Sequence, residues 1–292
     1  MTPPPARSLL ARLAGQEDLN FLITNRIPRK ALTRLVGWWS RIENPVVRDL
    51  SIGVWRLFAD LDLSDARTTR FRSMHECFTR GIRDGARPID PRPDCLTSPC
   101  DGILGAHGRV DGDTLLQAKG QSYTLPELLG GGTALERSLR DGQYLTLRLT
   151  SGMYHRFHAP HDCRVERVTY ISGEAFNVNP PALKRIAKLF CRNERAVLEC
   201  RLAGRSQSIV LVPVAAVLVA SIRLHFLDVR LHLDYRGPSL IECDAPFVKG
   251  GEMGWFEHGS TIIVLAPPGF RLCGDLHDGA HIRMGQAILE AG

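Results

Sequence analysis

Three absences narrow the field before any motif is considered. None of the eight cysteines, at positions 77, 95, 100, 163, 191, 200, 243 and 273, forms a CxxC pair, so the chain encodes neither a zinc ribbon nor a dithiol redox motif. No signal-peptide pattern opens it either, and scattered cysteines without a leader predict a reduced, cytosol-facing protein whose thiols serve as small core hydrophobes. Its longest apolar run, residues 209–222, is broken by Pro213 and Ser221 and falls short of the ~20 residues of a spanning helix. It reads instead as a buried strand and its continuation. Low-complexity tracts are missing too, apart from a Pro-rich start at residues 2–6. With 292 residues the chain can bury a core without staples.

The charge that is present is unevenly placed. Of the formal net +6, residues 1–56 supply +5, nine Arg or Lys against four acids. On a helical wheel, residues 27–42 gather Ile27, Leu35, Trp38, Trp39 and Ile42 on one side and Lys30, Arg34 and Arg41 on the other. Such a segment suits a membrane surface, with Trp at the boundary and cations towards acidic headgroups, or packs its stripe on a core. Residues 46–61 predict a second helix with Trp55 and Phe58. An Arg-, Asp- and Pro-rich connection follows at 79–99. Beyond it, short β-branched runs at 144–149, 164–171, 196–202, 209–222 and 261–265 alternate with turn residues, interrupted by one helix at 182–190 after Asn179-Pro180-Pro181. The expected class is α+β: a mostly antiparallel β catalytic domain, residues 79–292, preceded by a helical, membrane-contacting region, residues 1–78.

Three polar clusters interrupt the apolar runs: Ser98-Pro99-Cys100-Asp101-Gly102, Tyr154-His155-Arg156-Phe157-His158, and His258-Gly259-Ser260-Thr261. Singly they are ambiguous. Asp-Gly is a common turn, HxxH fits surface histidines or zinc ligands, and Gly-Ser-Thr can be a strand entry. Jointly they supply the acid, base and hydroxyl of an Asp-His-Ser relay. These residues alone leave open that relay, a zinc hydrolase using His155, His158 and Asp101, and a non-catalytic lipoyl-type β-domain displaying Lys119.

The stretches IPRKALTRLVGW, FTRGIRDGARPID, SPCDGILG, LLQAKGQSYTL, YHRFHAP, FNVNP with LFCRNERAV, and VKGGEMGWFEHGSTIIVLAPPG follow one another across residues 20–290. In this order and spacing the chain resembles the bacterial phosphatidylserine decarboxylases. The resemblance implies a proenzyme that cleaves itself between Gly259 and Ser260, leaving Ser260 as a pyruvoyl cofactor and no metal. It assigns Asp101 as orienting acid, His158 as general base for cleavage, and His155 to the decarboxylation step. It further implies phosphatidylserine as membrane substrate, a heterodimer of the chain's own two fragments with further dimerisation left open, a peripheral place on the cytoplasmic face of the cell membrane, and no nucleic-acid partner. One position departs from the bacterial pattern: His258 stands where Leu is usual.

Overall fold

The computed structural model describes residues 29–118, 120–131, 134–216, 221–232, 234–257, 260–274 and 276–292. Ile27, Lys119, His258 and Gly259, all singled out above, lie outside them, as does the side chain of Lys30.

Three helices lead: α1 (Arg29–Ser40), α2 (Pro45–Phe58) and α3 (Met74–Phe78). Asn44 caps α2, its side chain accepting from the amides of Val46 and Val47, and Pro45 fills the first turn where no amide partner is needed. Strands and short helices follow: β1 (Cys95–Thr97), β2 (Gly102–Arg109), β3 (Thr114–Ala118), β4 (Gln121–Thr124), α4 (Leu125–Leu129), α5 (Ala134–Leu139), β5 (Gln143–Leu149), β6 (Arg156–His158), β7 (Cys163–Ile171), α6 (Pro180–Arg185) and α7 (Leu189–Arg192). The remainder is all strand: β8 (Arg195–Leu202), β9 (Ser208–Ala215), β10 (Ser221–Leu224), β11 (Arg230–His232), β12 (Leu240–Phe247), β13 (Glu252–Phe256), β14 (Ser260–Ala266), β15 (Phe270–Leu272), β16 (His281–Ile282) and β17 (Ala287–Ala291).

An eight-stranded antiparallel sheet in the order β12-β7-β8-β9-β14-β5-β2-β16 forms the frame. A four-stranded sheet, β11-β10-β13-β6, adjoins it. The class is therefore α+β with mostly antiparallel strands. At the centre, β14 is buried at all seven residues and pairs with β9 on one side and β5 on the other. Its side chains alternate between two cores: Ile262, Val264 and Ala266 on one face, Ile263 and Leu265 on the other. Burial on both faces is why residues 261–265 read as an unbroken apolar run.

Two readings of the sequence need correction. The helix placed at 182–190 is split, because Lys188 adopts a left-handed conformation (φ 54°) between α6 and α7. The run 209–222 is divided between two sheets, ending β9 at Ala215 and starting β10 at Ser221. Pro213 is accommodated where the ladder to β8 skips from Leu211 to Val214.

Helix α1 is turned opposite to the usual amphipathic arrangement, and α2, which packs Trp55 and Ile52 against Phe71 and Phe78, still leaves a large apolar stripe outside. Leu35, Trp38 and Trp39 of α1 are exposed, as are Val46, Leu50, Val54, Leu57 and Phe58 along one stripe of α2. Towards the protein α1 presents Gly37 and Ser40, both buried. Its cations are engaged by acids of the β region: Arg34, still exposed, pairs with Asp234 at 2.6 Å, and Arg41, just past the helix, pairs with the buried Glu257 at 2.8 Å. Glu257 anchors the C-terminal end of the helix while its apolar side stays free. No helix among the described residues is long and apolar enough to cross a membrane.

This orientation makes a contrast measurable by urea unfolding. Ile262→Ala, at a fully buried position, is expected to cost about 2–5 kcal/mol. Leu50→Ser, though it removes a large apolar side chain from a helix, should stay within about 0.5 kcal/mol of the parent. A large loss at Leu50 would mean that the stripe packs on the core.

Candidate active site

Ser260 is the first residue of β14, opposite Leu149 of β5 and Ala215 of β9. Central pairing on both sides buries it completely, and among the described residues its hydroxyl has no hydrogen-bond partner. The neighbouring Thr261 hydroxyl is likewise buried and unpartnered. A buried polar group without a partner costs about 1–3 kcal/mol, so such a position calls for a reason beyond packing.

The two histidines of YHRFH flank the short strand β6. At i and i+3 they would share a face on a helix, as a zinc-binding HxxH requires, but extended backbone turns them apart. The His155 carbonyl accepts from the Phe256 amide at 3.0 Å, whereas His158 lies opposite Glu252 at the other end of the β6–β13 pairing. The register thus seats His155 beside a residue four positions before Ser260 and His158 beside one eight positions before it.

Each ring has its tautomer set by a backbone carbonyl. His155 Nδ1–H donates to Met153 O at 2.8 Å, leaving Nε2 as a buried acceptor without a partner. The ring is wholly buried and lies 3.9 Å, centroid to centroid, from Phe78 of α3, which in turn packs on Trp55 of α2. Burial drives its pKa down to about 3; the Met153 carbonyl opposes that and the charge of Arg80 adds to it. His158 Nδ1–H donates to Gly250 O at 2.8 Å, and its Nε2 accepts from the Tyr154 hydroxyl at 3.0 Å. Burial lowers this pKa as well, and pushes the Tyr154 phenol up. Both imidazoles are neutral at ordinary pH.

Asp101 does not set the His158 tautomer. Its carboxylate takes a two-pronged bond from Arg87, with Nε–Oδ1 at 2.9 Å and Nη2–Oδ2 at 2.6 Å, and accepts from the Met284 amide at 2.9 Å. Arg87 also pairs with Asp65 at 2.7 Å, tying the leading region to the loop before β2. Arg87, Tyr154, His158, Gly250 and Glu252 line one polar cavity of about 200 Å³. Ser260 is not among its lining residues. Asp101 and His158 therefore share a neighbourhood without a direct bond, and Ser260 Oγ bonds to neither histidine. Among the described residues no cluster of three or more His, Cys, Asp or Glu side chains is placed to hold a metal ion.

Sequence reasoning passed over Glu257, three residues before Ser260. It is buried, accepts a hydrogen bond from Ser221 Oγ, pairs with Arg41 at 2.8 Å, and has His75 at 3.7 Å and Arg230 at 3.9 Å. Desolvation raises its pKa, but the Ser221 bond and the charges of Arg41, His75 and Arg230 outweigh it and hold the carboxyl below 4.5. Helix α1, helix α3 and two strands thus converge on the residue leading into the Gly-Ser pair. Only adjacency to HGS could have hinted at this, since all four partners are remote in sequence.

A carboxyl depressed in the folded state stabilises the fold above its unfolded pKa of ~4.3 and loses that contribution as pH falls through the folded value. Glu257→Gln should therefore be about 1–3 kcal/mol less stable than the parent at pH 7, with the difference shrinking below about pH 4. Urea midpoints at pH 7 and pH 3.5 check this. A gap that is independent of pH would show that Glu257 acts by shape and not by charge.

Comparison with known proteins bears on the same residues. A family model described as phosphatidylserine decarboxylase matches residues 74–290. Relatives named phosphatidylserine decarboxylase proenzyme include those of Erwinia tasmaniensis, 33% identical over 91% of this chain and 92% of the relative, and of Alkalilimnicola ehrlichii, 34% identical over 94% and 96%. That of Pseudomonas fluorescens is 34% identical over 90% of this chain and 93% of its own length. With a match that begins at α3, runs to the last strand and spans the YHRFH and HGST segments, the chain belongs to the phosphatidylserine decarboxylase family.

Proposed function

We propose that the chain is a proenzyme that cuts itself between Gly259 and Ser260, converts Ser260 into a pyruvoyl group, and decarboxylates phosphatidylserine to phosphatidylethanolamine and carbon dioxide. The observation that carries this is the buried, partnerless Ser260 hydroxyl on the first residue of the central strand, in a family whose members are named proenzymes. A zinc hydrolase has no comparable support, since Asp101 is spent on Arg87 and the histidines diverge.

In cleavage, Ser260 Oγ attacks the Gly259 carbonyl carbon, and the Ser260 nitrogen leaves with a proton to give an ester. Loss of the serine α-proton then expels residues 1–259 as a carboxylate. Water releases ammonia from what remains of residue 260 and leaves a ketone at the head of a 33-residue fragment. An unpartnered hydroxyl has no hydrogen bond to give up before attacking, and a neutral imidazole can take its proton. Family resemblance names His158 for that task, and its Nε2 is an acceptor that Tyr154 now occupies, so Tyr154 must turn aside or relay the proton. The pyruvoyl group, once formed, supplies the electron sink for loss of the substrate carboxylate. His155, neutral with an open Nε2, is suited to take a proton from the substrate amine and return it to the carbon that loses carbon dioxide.

The two fragments have a reason to remain together. The small one begins with β14, held by β9 and β5, and includes β16 against β2 and β17 against β1, so four pairings cross the cut. At the membrane, the outward stripes of α1 and α2 support peripheral association of residues 29–58 by apolar insertion more than by charge, because Arg34 and Arg41 are already paired. The division at residue 78 follows the same reading.

Intact mass tests the proposal. The purified chain should appear as two fragments in place of 32.4 kDa, and Ser260→Ala should stay whole. A parent chain that remains at full mass while producing phosphatidylethanolamine would overturn the pyruvoyl assignment. With both histidines depressed below 6.5, turnover should show no inflection between pH 6.5 and 8 from either ring. Separately, Trp38→Ser with Leu50→Ser should lose most vesicle sedimentation while processing normally; unchanged binding would remove the helices from the membrane contact.

A further inference from the structure

Strand β5 carries a second group without a partner among the described residues, on the face that points away from Leu147 and Leu149. Arg148 lies across from Thr261 and Ile103 in the ladder, one step from the Leu149–Ser260 pair. It is half-buried, yet it has no acid, carbonyl or aromatic ring as partner, and burial alone acts on its charge. Arg148 lines a cavity of about 570 Å³ whose other walls include Ile103, Leu116 and Leu183, together with Thr146, whose buried hydroxyl is also unpartnered. The acid on this wall, Asp278, is exposed and sits 3.2 Å from His107. A half-buried guanidinium without a counter-ion is left partly desolvated and uncompensated, and an anionic, partly apolar ligand would satisfy it.

We propose that this cavity receives the headgroup of the lipid substrate, with Arg148 binding the phosphodiester. The assignment rests on the decarboxylase reading above. Of the two anionic groups on phosphatidylserine, the carboxylate is the one that must leave, and an ion pair to it would stabilise the ground state and raise the barrier. The phosphodiester is unchanged by the reaction, so holding it anchors the substrate without that penalty. Geometry agrees: only a serine side chain separates amine from phosphorus, and Arg148 and residue 260 are diagonal neighbours on adjacent strands. Although the Ser260 side chain points to the other face of the sheet, a residue freed from its predecessor presents its carbonyl beyond the strand end and is open to a ligand from this side.

Binding that is equal in ground and transition states changes KM and leaves kcat alone. With dihexanoyl phosphatidylserine, Arg148→Gln should raise KM roughly 10- to 100-fold with kcat held within about threefold. With O-octylserine, which keeps the amine and carboxylate but has no phosphate, the variant should match the parent, and Arg148→Lys should recover part of the phosphatidylserine KM. A fall in kcat at constant KM, or equal damage on both substrates, overturns the proposal. If Arg148→Gln is not processed, phosphorus NMR titration of dihexanoyl phosphatidylserine into Ser260→Ala, with and without Arg148→Gln, decides instead; equal affinities overturn it. Arg148-dependent binding of inorganic phosphate as tight as that of the lipid also overturns it, because the site would then read phosphate alone. If the parent turns over neither substrate, the decarboxylase reading fails, while the titration still judges the site.

Discussion

The structure turns on the placement of one strand. β14 is the most enclosed element of the molecule, laddered on both sides and buried on both faces, and its first residue is the serine on which the proposed chemistry acts. A cut at the start of such a strand is compatible with stability, because the ladders and the two cores hold it in place whether or not a peptide bond precedes it. A cut in its middle would sever a strand whose own side chains fill both cores. Unsatisfied groups gather at the strand's head: among the described residues the buried hydroxyls of Ser260 and Thr261 have no hydrogen-bond partner.

Around that head the molecule assembles groups from distant parts of the sequence. The backbone of β13 brings His155 close, α3 roofs its ring with Phe78, and Glu257 gathers Arg41, His75, Ser221 and Arg230. The leading helices are thus connected to the segment before Ser260 by a buried carboxylate and to the histidine by stacked rings. α1 leaves its apolar stripe outward because its inward contact is made by small residues, Gly37 and Ser40, and by ion pairs, whereas α2 gives Trp55 and Ile52 to a small core with Phe71 and Phe78 and turns a second stripe outward.

Much of this was legible from the residues in order. Periodicity located α2 and most of the long strands, Asn179-Pro180-Pro181 marks a helix start, and the clusters around Asp101, YHRFH and HGST stand out as polar islands between apolar runs. Which way an amphipathic stripe faces is another matter: the same residues 27–42 suit a core or a membrane, and the acids that engage Arg34 and Arg41, at 234 and 257, lie far along the chain. The split at Lys188 was equally hidden, since nothing about lysine announces a left-handed residue.

Sequence by itself determined the inventory: a hydroxyl after glycine, two histidines three apart, an acid in a tight turn, and an order of motifs that belongs to one family. Tertiary structure decided the partnerships. Asp101 belongs to Arg87, His158 to Gly250 and Tyr154, His155 to Met153 and Phe78, and Glu257 to four remote residues, while Ser260 and Arg148 have none. Spacing along a chain records which groups exist, whereas hydrogen bonds, desolvation and ion pairing depend on distances through space that the register of an eight-stranded sheet sets.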